Sequence, residues 1–94
     1  MAQEFIANIN GKRWKIRTAV SNLAVRGDCD APDVKNKQIR VSASIADDEQ
    51  FCEILTHEIL HAADWHRSEE WITSTSKSIA NILKKCNFRR VCDD

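Results

Sequence analysis

Apolar positions recur at every second residue in the first part of the chain, and the period changes once, near residue 47. Phe5, Ala7 and Ile9 lead to Asn10-Gly11, and Trp14, Ile16 and Thr18 resume the alternation. Period-two alternation gives a strand one core-facing side, and Asn-Gly supplies the two positive-φ positions of a tight turn. The pattern predicts a β-hairpin. Residues 19–26 fit either a short helical turn or a loop. Gly27-Asp28-Cys29-Asp30-Ala31-Pro32-Asp33 is rich in turn formers and reads as loop. Gln38 to Ser42 alternates again as a third strand, a candidate edge on which an extended peptide could add as a further strand.

Beyond Asp47 the spacing becomes helical. Asp47 with Gln50 three residues later has the form of a capping box. Phe51, Ile54, Leu55, Ile59 and Ala62 then fall on one stripe, which predicts a helix over about 48–65. The polar stretch His66-Arg67-Ser68 interrupts it. A second helix over about 69–85 follows, with Ile72, Ser76, Ile79, Ala80 and Leu83 sharing a face. Three strands followed by two helices predict a single α+β domain over residues 1–94. Its expected form is a small antiparallel sheet, a hairpin plus a third strand, packed against both helices.

The clearest chemistry lies in the first of those helices. His57-Glu58-Ile59-Leu60-His61 is an H-E-x-x-H motif. Histidines four apart project from one helical face with Cβ atoms about 5–6 Å apart, close enough for both imidazoles to bind one zinc. Glu58 lies beside the metal rather than on it, where a carboxylate can take a proton from an attacking water and return it to the leaving amine. Apolar neighbours embed the motif, and all three histidines of the chain fall within ten residues. These features favour a metal site over a solvated helix face.

Catalytic zinc of this kind takes a third protein ligand and keeps one position open. Glu69, Glu70 and His66 are the candidates. Helical phase puts Glu69 on the face of Ile72, Thr73, Ser76 and Ala80, whose small residues allow close packing of the two helices; Glu70 points away from it. Glu69 is therefore favoured, with either glutamate also suited to an ordinary first-turn role. His66 comes one residue too early for the longer H-E-x-x-H-x-x-G-x-x-H pattern, and no glycine follows His61. Asp64 is a candidate to orient a histidine, or a plain helix-end acid. Trp65 and Trp71 read as packing or lid residues, and Cys29 as a buried cysteine or, less simply, a thiolate that caps the metal.

The stretch from Leu55 to Leu83, with His57-Glu58-Ile59-Leu60-His61-Ala62-Ala63-Asp64-Trp65 and Glu69-Glu70-Trp71-Ile72, resembles the short zinc metallopeptidases carried by phages and bacteria. Gly27-Asp28-Cys29-Asp30-Ala31-Pro32 and Lys37-Gln38-Ile39-Arg40-Val41 resemble the same group, so the likeness spans about residues 26–90. These belong to the broad gluzincin-like class, which implies hydrolysis of peptides or proteins and a third metal ligand from a glutamate on the following helix. This chain departs from that class at the acid four residues beyond the ligand, where Thr73 or Ser74 stands.

Charge adds little to this picture. Fourteen basic residues balance fourteen acidic ones, which argues against a dominant attraction to nucleic acid or to an anionic membrane; the Arg89-Arg90 pair is weak support for the former. No apolar run reaches the roughly 20 residues of a membrane span, and the first residues lack a signal-peptide layout, so the expected location is cytoplasmic. Four cysteines without a Cys-x-x-Cys pair then read as reduced thiols. The expectation is a zinc peptidase acting on a peptide or protein. The rival is a zinc-containing protein-interaction module without hydrolytic activity, motivated by how little wall so small a chain can give a cleft.

Overall fold

The computed structural model describes residues 3–88 and residue 90. It is an α+β domain with strands β1 (Glu4–Ile9), β2 (Lys12–Val20), β3 (Gly27–Cys29) and β4 (Gln38–Ser42) and helices α1 (Asp48–Ala63) and α2 (Glu69–Lys85). The hairpin is as expected. Asn10 and Gly11 take φ of 50° and 81°, and β1 pairs antiparallel with β2 from Ile9↔Lys12 to Glu4↔Arg17. Asn10 also anchors the hairpin to α1. Its side-chain amide donates to the Ala63 carbonyl at 3.1 Å, satisfying one of the unpaired acceptors at the end of that helix.

The sheet order is β1-β2-β4-β3, and this changes two expectations. Gly27 to Cys29 is a strand rather than loop. It pairs antiparallel with β4 through Gly27↔Val41 and Cys29↔Ile39. Its residues have weak strand preference, and long-range contacts overrule that. The Arg40 guanidinium donates to Asp28 Oδ1 at 2.7 Å and to Asp30 Oδ1 at 3.1 Å, tying the middle of the short strand and the residue after it to β4. The strand at 38–42 is consequently interior, not an edge. It is flanked by β3 on one side and by β2 on the other, where the pairing is parallel. The edges of the sheet are β1 and β3.

α1 crosses one face of the sheet. Trp14, Ile16 and Ile39 meet Ala62, with Leu55 and Ile59 packed against them; Val41 and Ile45 meet Phe51. α2 packs on α1 and buries Ile72, Ser76 and Ala80, where small side chains permit the close approach anticipated from the sequence. α1 begins on schedule, with Asp47 accepting from the Gln50 amide at 2.8 Å, but ends at Ala63, two residues early, with Asp64 as its cap. No helix among the described residues is long and apolar enough to cross a membrane.

Arg90 fixes the start of α1. Its guanidinium donates to Asp48 Oδ1 at 2.6 Å and to the Ile45 and Ala46 carbonyls at 3.1 and 2.7 Å, and lies 4.6 Å over the Phe51 ring. Arg90→Ala removes a charge-assisted fork and exposes two carbonyls, so a loss of about 2 kcal/mol is expected. Thermal melting checks it: the midpoint should fall by roughly 10 °C. Lys should recover little, because an ammonium cannot reproduce the planar fork. The other half of that basic pair, Arg89, and the cysteine at 92 lie outside the described residues.

Candidate metal centre

His57 and His61 stand one turn apart on α1, and their Nε2 atoms point at each other across 3.1 Å. The 64–68 connection reverses the chain. Ser68 caps α2 by accepting from the Trp71 amide at 3.2 Å, so that Glu69 becomes the first residue of the helix. From there its carboxylate reaches back to both histidines, Oε1 lying 2.7 Å from His57 Nε2 and Oε2 3.2 Å from His61 Nε2. The three donors form a cluster within 4.8 Å.

Donors held about 2.0–2.2 Å from one zinc at tetrahedral angles lie roughly 3.3 Å from each other. The observed separations of 2.7, 3.1 and 3.2 Å are close to those edges, so the residues fit the ion with a small opening of the cluster. Two imidazoles and one carboxylate also form a donor set that borderline-soft zinc accepts. Glu70 and His66 are exposed and outside the cluster, so of the three candidates only Glu69 is brought to the histidines.

Glu58 occupies a different environment on the same helix. It is 8% exposed, and its carboxyl is pushed up to about 7, first by burial and then by the neighbouring Asp28 and Glu69 carboxylates. A carboxyl with affinity for a proton near neutrality is suited to proton transfer. β3 passes directly above it. A Cβ placed on Gly27 would come within 2.7 Å of Ile54 Cγ2 and 3.4 Å of Glu58 Oε2. Glycine is needed there for the close approach of strand to helix rather than for a turn. A cleft of about 300 Å³ opens beside this contact, lined by Val25, Arg26, Gly27, Ile54, His57 and Glu58 among others. The outer edge of β3 borders it at Gly27.

Other expectations resolve locally. Asp64 does not support a histidine; its carboxylate accepts from Arg67 Nε at 3.2 Å, and the Arg67 guanidinium lies 4.5 Å over Trp71. Trp65 stands edge-on to His61 at 6.1 Å, in keeping with packing beside that ring. Neither Thr73 nor Ser74 hydrogen-bonds a histidine, and the described residues give His57 and His61 no polar partner outside the cluster. Packing and Glu69 therefore set the ring orientations.

Cys29 faces the core side of β3, donates to the Asp30 carbonyl at 3.2 Å and is not among the clustered donors. Its thiol is raised to about 12 by burial and then by the Glu58, Asp30 and Asp28 carboxylates. Ionisation is thus resisted by the fold. The folded state holds this proton beyond pH 9, the unfolded state does not, so stability falls as pH rises from 9 towards 12. Because the thiolate is the reactive form, iodoacetamide near pH 8.5 should modify exposed Cys86 at least about a hundredfold faster than Cys29. Mass-spectrometric time courses check this, and equal rates would contradict the buried thiol.

Comparisons with protein-family models, with curated proteins and with solved structures return no match.

Proposed function

We propose that the protein is a zinc-dependent peptidase in which His57, His61 and Glu69 hold the metal and Glu58 is the general base. The observation that carries this reading is the convergence of Glu69 from a second helix on the two histidines of an H-E-x-x-H motif. Zinc, when bound there, supplies a Lewis acid that polarises a carbonyl and acidifies water. Glu58 accepts the proton of the attacking water at its carboxylate and delivers it to the departing amine nitrogen. β3 offers an open edge to an extended substrate alongside the cleft, through main-chain hydrogen bonds. A cytoplasmic setting belongs to the same proposal.

The test combines metal content with turnover. One zinc per chain is expected, together with cleavage in a peptide mixture that chelation abolishes and added zinc restores. Glu69→Ala should lower zinc affinity by about 10–100-fold or more, whereas Glu70→Ala and His66→Ala should not. Stoichiometric zinc without cleavage of any peptide would favour the interaction module instead, and no zinc binding would reject both.

A further inference from the structure

The balanced total charge conceals a division. Positions 1–41 hold eight basic and four acidic residues, a net of +4, and positions 42–94 hold six basic and ten acidic, a net of −4. Part of the basic half falls on one face of the sheet. α1 covers the sheet face that carries Trp14, Ile16, Ile39 and Val41. The alternate residues of β2, Arg13, Lys15 and Arg17, therefore point to the opposite, uncovered face. Adjacent members of that row are about 6.7 Å apart, the rise of two strand residues.

Carboxylates on this face are already engaged. Glu4 pairs with Arg17 at 3.4 Å, and Asp28 and Asp30 pair with Arg40. Arg13 and Lys15 form no ion pair among the described residues. They line a groove of about 360 Å³ together with Ile6, Asn36, Lys37 and Gln38. The groove is held in shape by the Lys15 amide donating to the Lys37 carbonyl at 3.1 Å. The Lys37 ammonium turns away from it, 5.8 Å over the buried Trp14 ring and donating to the Val34 carbonyl at 3.5 Å. It is a built cationic groove with no internal counter-ion.

We propose that this sheet face binds the phosphate backbone of duplex nucleic acid without reading its sequence. Arg13 and Lys15, about 6.7 Å apart along β2, present two unpaired cations to a phosphate backbone. The face carries no aromatic side chain: Phe5 and Trp14 alternate to the other side of the sheet, and the remaining aromatics lie on the helices or beyond. Single strands are generally gripped by bases stacked on aromatic platforms, so their absence favours backbone contact with a duplex. Only Ile6 is available to enter a bilayer, which disfavours a membrane. The groove lies opposite α1 and the His57–His61–Glu69 cluster, so occupancy of one leaves the other open; the inference does not depend on peptidase activity.

Fluorescence anisotropy with a labelled duplex of about 20 base pairs tests it. Neutralising about two phosphates gives a slope of about −1.8 in log affinity against log salt, so binding should weaken roughly twelvefold between 50 and 200 mM KCl. Arg13→Glu with Lys15→Glu should weaken binding at least about tenfold and flatten the slope by about two. Lys77→Glu with Lys85→Glu changes net charge equally from α2 and should leave affinity within about threefold. Melting curves verify the fold of each variant, and Arg13→Gln with Lys15→Gln serves if the reversed charges prevent folding. The proposal is overturned by no duplex binding at about 100 µM protein in 50 mM salt. Equal loss in both double variants, tighter binding to a single strand of the same length, or capture by equimolar phosphatidylserine–phosphatidylcholine vesicles without duplex binding would overturn it as well.

Discussion

Glu58→Gln is expected to keep its zinc and lose hydrolysis. Gln preserves the volume and shape of a side chain that is 8% exposed, so α1 and the neighbouring Gly27 contact should be undisturbed. The residue is not among the clustered donors, and zinc affinity should change by only a few-fold. What disappears is the group that takes a proton from water and returns it to the amine. Such proton transfer is worth about 10²–10⁴-fold in rate. The loss should appear in kcat with little change in KM, since the amide still occupies the same space. His57→Ala, by contrast, should lose metal and activity together. Wild-type turnover in Glu58→Gln would reject the proposed role outright.

The largest expected effect on stability is at Trp14. Its side chain is fully buried between sheet and α1, and Ala62 packs on it. Trp14→Ala opens a large cavity in a thin core and should cost about 3–5 kcal/mol. A 94-residue domain has only about 5–14 kcal/mol in total, so the variant should be close to unfolding at about 37 °C. Trp14→Phe makes a sharper test. The indole Nε1 is buried with no hydrogen-bond partner among the described residues, a state that costs about 1–3 kcal/mol. Phe forfeits some contact but also removes this orphaned donor, so its net cost should be at most about half that of Ala. Urea unfolding of the two variants measures the difference. Equal destabilisation would mean that Nε1 is satisfied in solution.

Local chemistry was legible in the chain; long-range pairing was not. Asn10-Gly11 announces its turn because few residues tolerate positive φ, and the 48–63 helix is written in its stripe and cap. Helical phase alone singles out Glu69 over Glu70, since one residue is a rotation of about 100°. Nothing local reveals that Gly27-Asp28-Cys29 is a strand. Three residues are too few for alternation, and two of them are turn formers; the pairing comes from β4 and from Arg40 between Asp28 and Asp30. The error about the edge follows from the same source, because the place of residues 38–42 in the sheet depends on where β3 inserts. Gly27 left a faint signal, being the only glycine besides the one in the hairpin turn. The grip of Arg90 on Asp48, 42 positions away, left none.

Glu69 opens α2 directly after Ser68, and the same helix buries Ile72, Ser76 and Ala80 against α1. Those three side chains lock the rotation of α2, so the carboxylate is aimed by packing further along the helix rather than by the length of the 64–68 connection. Glu70, about 100° further round, could take its place only by turning that whole stripe out of the seam.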